Sequence, residues 1–278
     1  MRRVFEVEGK ITALTPLTHF GDEKTGSTPT LRAINIWVDG QGEVPMPYIS
    51  GNAVRGKARR AIMRDMLDLV GYEMKSNKLH HVLFSGGVLE SVEESASGVI
   101  DLNLRKFIRD TLPPVALLGC ALGNQMIQGM LTVEHMWPIC QEYAGYLPEK
   151  YRGDPRATQP VRTYTSEAFF TRRDDLRAER KEDEQAVQMK VEYECFIPGA
   201  TFYHRWALLL ANPVQASCLG RILELWRETP YIGGKSATGD GKLLFGYQGA
   251  PDSQIYLDYV ESCKDQILRA LQEMEVRL

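Results

Sequence analysis

The chain has 278 residues, of which 44% are apolar and 25% are charged, and its formal net charge is −3. These values predict one large domain, or a core domain with insertions, and exclude a protein that binds nucleic acid through a high overall positive charge. The apolar runs are too short to cross a membrane, and no apolar segment follows the first arginines as in a signal peptide. We therefore expect a cytoplasmic protein without a membrane partner.

The cysteines and histidines indicate neither a disulfide framework nor a metal site. The five cysteines are an odd number and none lies within three residues of another. The five histidines show no His-Glu-x-x-His pattern. We expect reduced thiols, no metal and no cofactor.

The N-terminal third predicts two strands and a basic helix. Residues 4–14 alternate apolar and polar side chains as a half-buried strand does, a polar segment follows from His19 to Thr30, and residues 31–39 predict a second strand. After a turn-rich link, Ser50 or Asn52 is placed to cap a helix over residues 53–70. Basic residues flank its apolar face on both sides: Arg55, Lys57, Arg59, Arg60 and Arg64.

The remainder of the chain predicts further strands and helices. Residues 71–115 are interpreted as an insertion with one or two helices, followed by a strand near Leu131–Val133. The charged run 171–185 is interpreted as the tip of a long β-excursion, with a solvated helix or loop as the alternative. Pro198-Gly199 is expected to turn a strand pair. A helix from Asn212 to about Arg227, a strand at Leu243–Tyr247 and one helix at about 253–275 complete an α+β order.

A glycine-rich stretch, "PYIGGKSATGDGK", contains the Gly-Lys-Ser end of a phosphate-binding P-loop. The motif requires glycine at position 229, where this chain has Thr229, and a helix after the loop, where this chain predicts a strand. We therefore do not expect nucleotide binding. Gly233, Gly234 and Lys235 are interpreted as a backbone clamp on a polyanion or a neighbouring subunit, with a mobile connecting loop as the alternative.

Three ordered stretches resemble one family. They are the N-terminal strand followed by "TPLTHFG" and "TPTLRAINI", the element "MPYISGNAVRGKARR", and the loop "IGGKSATGDGKLLFGY". Weaker similarity extends through "LLGCALG", "GMLTVEHMWP", "EAFFTRRDD" and "VEYECFIPGATFYH". Together they resemble the RAMP superfamily of CRISPR-associated proteins, specifically the backbone subunits that coat the guide RNA.

The resemblance implies an architecture and a set of partners. It implies a single domain over 1–278 with a ferredoxin-like (RRM-like) palm, a helical or finger insertion over 71–128 and an extended thumb β-hairpin over 163–198. The implied partners are CRISPR guide RNA, target DNA or RNA through that guide, copies of the same chain in a helical filament, and other effector-complex subunits at each end. The implied RNA-binding residues are His19, Arg32, Ser50, Gly51, Asn52, Arg55, Lys57, Arg59, Arg60, Arg172, Arg173, Gly233, Gly234 and Lys235.

The same residues suit sequence-independent RNA binding on chemical grounds. Such binding needs cations and main-chain N–H groups on phosphates rather than base-edge readers. Ser50, Gly51 and Asn52 begin a helix and are expected to offer N–H groups. Arg55, Lys57 and Arg59 are expected to offer positive charge; the alternative is that the basic residues are only solvated side chains on the surface of the helix.

The resemblance implies a non-catalytic, type IV-like scaffold. Relatives that cleave target RNA carry an aspartate in the first loop, and alignment on Pro29 and Arg32 places Ser27 there. A serine hydroxyl does not bind a metal ion or carry a proton as a carboxylate does. Two alternatives stay open: a type III-like, metal-dependent target-RNA endonuclease using nearby Asp22 or Glu23, and a guide-RNA-processing endoribonuclease using His19 as a general acid. The motifs of small-molecule enzymes are not found.

Overall fold

The computed structural model describes residues 4–25, 28–87, 101–123, 125–172 and 189–278. In chain order its strands are β1 (Val4–Ala13), β2 (Phe20–Thr25), β3 (Thr28–Leu31), β4 (Ala33–Val38), β5 (Gly42–Pro47), β6 (Cys120–Leu122), β7 (Gln125–Ile127), β8 (Leu131–Val133), β9 (Trp137–Pro138), β10 (Thr165–Arg172), β11 (Met189–Phe196), β12 (Thr201–Leu209) and β13 (Leu243–Gln248). Its helices are α1 (Gly51–Val70), α2 (Asn77–Ser85), α3 (Leu102–Thr111), α4 (Pro113–Leu118), α5 (Glu149–Arg152), α6 (Pro213–Glu228), α7 (Gln254–Ser262) and α8 (Lys264–Val276).

The central sheet is antiparallel, with the strand order β13-β1-β12-β8, and β9 also pairs with β12. Val7 lies opposite Trp206 and Ile11 opposite Phe202, so these four fully buried side chains share one face. That face forms a single core with the apolar sides of α1 and α6. The predicted α+β class is confirmed: mixed helices pack on an antiparallel sheet.

Polar contacts and a small second apolar cluster cover the opposite face of the sheet. Tyr203 of β12 packs there with apolar side chains from residues 139–157. Lys10 of β1 donates to Asp154 at 3.0 Å, and Arg205 of β12 pairs with Glu134 at 2.6 Å. Asp154 lies in the segment that follows β9, so that segment is held to the sheet by an ion pair as well as by packing, whereas Glu134 precedes β9.

Several boundary predictions were wrong, each for a physical reason. The polar segment after His19 forms the β2–β3 hairpin, whose surface strands lack the apolar alternation that marks a half-buried strand. The turn-rich link contains β5, which pairs with β4. The C-terminal helix is two helices that meet at Cys263; both bury residues in the same core, so the apolar repeat continues across the break.

The β10–β11 hairpin was predicted, but its relation to β12 was not. β10 pairs with β11 over residues 165–172 and 189–196, whereas β12 pairs with β1. The strands on either side of Pro198-Gly199 therefore belong to different sheets and do not form the expected pair. Residues 173–188, which include most of the charged run 171–185, lie outside the described residues. None of the helices that the structure describes has the length and apolarity to cross a bilayer.

His204 on β12 makes the stability of the fold sensitive to acid. It is fully buried, Nε2 lies 3.0 Å from the Glu134 carbonyl oxygen, and Nδ1 lies 2.6 Å from the Tyr247 hydroxyl. A neutral ring that donates from Nε2 and accepts at Nδ1 satisfies both partners. Burial lowers the pKa of His204 from 6.5 to about 3.

We predict that His204 reduces the free energy of unfolding as pH falls below about 6.5. The unfolded chain then binds a proton that the folded chain excludes, so stability falls by up to about 1.4 kcal/mol per pH unit from this residue alone. Urea denaturation between pH 6.5 and 4.5 should show a shallower pH slope for His204→Gln than for the parent chain. The control His81→Gln, at an exposed site, should keep the parent slope; equal slopes for all three proteins would contradict the prediction.

Candidate nucleic-acid interface

A cleft of about 770 Å³ lies between the N-terminal half of α1, the start of β2, the end of α2 and the glycine-rich loop. It brings together residues that are far apart in the sequence. The predicted RNA-binding residues among its lining are His19, Asn52, Arg55, Lys57, Arg59, Arg60, Gly233 and Gly234. The helix α1 and the glycine-rich loop, which belong to two of the stretches that carry the family resemblance, therefore meet at one surface.

The N-terminus of α1 is capped by side chains of this chain. Ser50 is the N-cap, and its hydroxyl accepts from the Ala53 N–H at 3.2 Å. The Gly51 N–H donates to His135 Nδ1 at 2.8 Å. The Gly51 N–H is therefore satisfied within the fold and is not available as the donor that we expected, and the Ser50 hydroxyl is occupied as the helix cap. Asn52 is exposed on the cleft, and its N–H has no acceptor in the part of the chain that the structure describes.

His19 is a neutral imidazole behind the helix terminus. Its Nε2 lies 3.1 Å from the Ser50 hydroxyl. Burial, followed by the charges of Arg32 and His135, lowers the pKa of His19 to about 4. Arg32 donates its backbone N–H to the His19 carbonyl oxygen at 2.7 Å, and its side-chain Nε is buried without a partner among the described residues. Arg32 therefore lies beside His19 and does not line the cleft itself.

Arg55 and Arg59 bind backbone carbonyl oxygens rather than facing solvent as free cations. Arg59 is 7% exposed, and its guanidinium donates to Leu118 O at 2.6 Å and Gly119 O at 2.9 Å. Arg55 donates to Leu118 O at 2.7 Å and Leu131 O at 2.8 Å. The last carbonyl groups of α4 have no partners within that helix, which is why two guanidinium groups are drawn to them. At these two positions the guanidinium groups therefore hold the fold together, a role that the sequence did not indicate.

Lys57 and Arg60 are the cations that the cleft presents more openly. Lys57 is half-buried, its Nζ lies 3.1 Å from the Thr229 hydroxyl, and burial together with Arg60 lowers its pKa. Arg60 is exposed and has no hydrogen-bond or ion-pair partner among the described residues. Positive charge at the mouth of the cleft therefore comes mainly from this pair.

Gly233 and Gly234 bring the glycine-rich loop against the N-terminal segment of the same chain. The Gly234 N–H donates to Thr18 O at 3.2 Å, and the Thr18 hydroxyl donates to Gly234 O at 3.1 Å. Gly233 has φ +85°, and a Cβ there would lie 2.1 Å from Thr18 O. The close approach that these glycines permit is to Thr18, and the loop forms one wall of the cleft.

Lys235 points away from the cleft, towards the β10–β11 hairpin. Its Nζ lies 3.3 Å from the centre of the Tyr193 ring and 3.6 Å from that of Phe170. The Tyr193 hydroxyl donates to Asp240 at 3.1 Å. These contacts join the glycine-rich loop to the hairpin, so Lys235 is a cation–π anchor where a phosphate contact was expected.

Two predicted RNA-binding residues remain, Arg172 and Arg173. Arg172 ends β10, and its side chain is not among the described ones. Arg173 lies outside the described residues. Both stay predictions.

His135 and Thr18 are site residues that sequence reasoning missed. His135 binds a residue 84 positions away, and Thr18 binds one 216 positions away. No local pattern marks such contacts. In the described ranges there is no cluster of three or more His, Cys, Asp or Glu side chains that could hold a metal ion.

One solved structure, described as "Type IV-B CRISPR Complex", contains a chain with a similar fold. The TM-score is 0.58 and the sequence identity is 22%, over 88% of this chain and 90% of that chain. At this identity the similarity establishes the fold. No protein-family model matches the sequence, and no curated protein matches it.

We predict that Arg59 and Arg60, adjacent in sequence, differ sharply in their effect on stability. Arg59→Leu removes the donor to Gly119 O and one of the two donors to Leu118 O, and should lower the free energy of unfolding by about 2–4 kcal/mol. Arg60→Leu, at an exposed position, should change it by less than about 0.5 kcal/mol. Urea denaturation of both variants checks this, and equal effects would contradict the structural role of Arg59.

Proposed function

We propose that this chain is a CRISPR RNA-binding backbone subunit of a type IV-like effector complex. In this role copies of it assemble along the guide RNA and present the guide to target DNA or RNA. The observation that carries the proposal is the cleft in which the basic helix α1 and the glycine-rich loop meet. The fold similarity to a chain of a type IV-B CRISPR complex supports it.

The strand order supports a ferredoxin-like palm. The elements β1, α1, β8, β12, α6 and β13 follow each other as β-α-β-β-α-β, and the strands lie in the order β13-β1-β12-β8. The segment with α2, α3 and α4 is inserted between α1 and β8, as expected for a finger. The β10–β11 hairpin precedes β12, as expected for a thumb.

The cleft offers the chemistry of phosphate binding without base readout. Arg60 and Lys57 supply charge, and Asn52 supplies a main-chain N–H at a helix N-terminus. Arg55 and Arg59 also line the cleft and add to its positive potential, although their guanidinium groups donate hydrogen bonds to backbone carbonyl groups. Such contacts hold an RNA backbone whatever its sequence.

The subunit acts as a scaffold and not as an enzyme in this proposal. Ser27, which lies outside the described residues, replaces the aspartate of RNA-cleaving relatives. A general acid at His19 is disfavoured because an imidazole with a pKa of about 4 is in its neutral form at neutral pH and lacks the acidic proton of the imidazolium. The proposed partners are the guide RNA, copies of the chain and other effector-complex subunits, in the cytoplasm, with no cofactor.

We predict that Arg60→Glu weakens the binding of single-stranded RNA of any sequence. Loss of one phosphate contact should make the slope of log affinity against log salt shallower by about 1. Fluorescence anisotropy with two unrelated RNAs over a salt series measures this. The matched control Lys264→Glu makes the same charge change at an exposed site on α8 and should keep the parent slope. An unchanged slope for Arg60→Glu, or loss of one RNA only, would argue against backbone recognition in the cleft.

We predict no cleavage by the assembled protein. Incubation with guide RNA, complementary target RNA and Mg²⁺ or Mn²⁺ should leave the target intact on a denaturing gel. Regularly spaced cuts that disappear in Asp22→Ala would overturn the scaffold proposal in favour of a target-RNA endonuclease. Cleavage of a guide precursor that disappears in His19→Ala would favour the processing enzyme.

A further inference from the structure

The β4–β5 hairpin presents exposed apolar side chains that the fold does not use. We name residues 33–47 the Trp37 knob. Of the residues in its two strands only Met46 is fully buried, whereas Trp37 is 62% and Ile34 47% exposed. A two-stranded hairpin is marginally stable alone, and this one is held beside the body by the Tyr146 hydroxyl, which donates to Trp37 O at 2.6 Å. The indole itself is left to solvent.

A second surface is a groove beyond the C-terminal end of β12. It combines apolar side chains with a basic rim. We name it the Leu210 groove; it has a volume of about 460 Å³, and its lining includes Leu210, Met130, Leu102, Arg105, Lys106 and Arg109. Leu210 is 66% exposed and has φ +57°, a left-handed conformation that is costly for leucine. A strained, exposed leucine indicates a function at its site.

The charges of the two surfaces are complementary. The knob carries Asp39 and Glu43, both exposed. The groove is lined by three cations, Arg105, Lys106 and Arg109, and by one carboxylate, Asp110, so its charge is positive on balance; none of the three cations has an ion-pair partner among the described residues. An aromatic side chain flanked by carboxylates therefore matches an apolar groove flanked by cations.

The two surfaces cannot meet within one chain. The knob joins the sheet near Trp137, which pairs with Tyr203, whereas the groove lies beyond Leu208, which pairs with Leu131. Five residues of extended strand between Tyr203 and Leu208 separate these points by roughly 17 Å. A knob and a groove at opposite ends of one chain form a head-to-tail contact between copies, and such a contact extends into a linear array.

We infer that the Trp37 knob of one copy docks in the Leu210 groove of the next. This inference rests on the proposed function, since it names the surfaces by which copies assemble along the guide. Trp37 fills the groove beside Leu210, and Asp39 and Glu43 face the basic rim. The arrangement leaves the α1 cleft of each copy free for RNA.

A mixing experiment tests the inference. Trp37→Glu removes the knob and keeps the groove, and Leu210→Glu does the reverse. Mass photometry on a long single-stranded RNA should show multi-copy arrays for the parent chain and loss of cooperative arrays for either variant alone. An equimolar mixture without RNA should yield two-chain particles and no longer ones, because each variant retains one half of the contact. The control Leu244→Glu, at an apolar site 58% exposed on β13, should assemble like the parent.

A second measurement separates this inference from the proposed function. Each variant should bind a short RNA that accommodates one subunit as tightly as the parent and should melt at a similar temperature. If the parent fails to bind the short RNA, the proposed function fails. If the parent binds and assembles but both variants assemble equally well, the knob–groove contact is wrong.

A third experiment reverses the charges of the knob and of the groove. Asp39→Arg with Glu43→Arg should restore assembly when mixed with Arg105→Glu and Arg109→Glu, although each double variant alone assembles poorly. If Arg105→Glu with Arg109→Glu instead weakens binding of the short RNA and leaves assembly unchanged, the groove is a nucleic-acid site and the inference is overturned.

Discussion

The cleft depends on two guanidinium groups, of which that of Arg59 is buried and that of Arg55 is half-buried. Arg55 and Arg59, one turn apart on α1, donate to carbonyl oxygens at the end of α4 and, for Arg55, on β8. Burial lowers the pKa of Arg59 to about 10, so the group stays charged at neutral pH and requires acceptors inside the protein. The carbonyl groups that α4 leaves unpaired supply them. These hydrogen bonds tie α1 to the segment inserted between α1 and β8. They fix the position of α1, which forms one wall of the cleft.

The opposite wall is held by contacts that are equally internal. The glycine-rich loop bonds to Thr18, and Lys235 joins it to Tyr193 and Phe170 of the β10–β11 hairpin. Both walls are therefore positioned before any ligand arrives. A preformed surface avoids the cost of ordering loops on binding, so in the proposed RNA-binding role more of the attraction to phosphate would appear as affinity. The same contacts of Lys235 hold the β10–β11 hairpin in a fixed direction relative to the cleft.

The sequence predicted the structural features that depend on residues close together in the chain. The N-cap at Ser50, the length of α1 and the alternation in β1 were confirmed because each depends on neighbours in the chain. The ordered resemblance placed α1 and the glycine-rich loop in one site, which no periodicity could do. The roles of individual cations were not predictable: Arg59 and Arg60 both flank the apolar face, but the carbonyl group that distinguishes Arg59 lies 60 residues away. The contacts of Lys235 were not predictable for the same reason, since its aromatic partners belong to a distant hairpin.

In the proposed array, the two ends differ from each other. A head-to-tail contact always leaves one unfilled knob at one end and one unfilled groove at the other. These ends are chemically different: one presents an exposed indole with carboxylates, and the other an apolar groove with three cations. A subunit that caps one end would therefore need a surface of the opposite kind from a subunit that caps the other. The polarity of such an assembly would then follow from the asymmetry of a single chain, without any sequence information in the RNA.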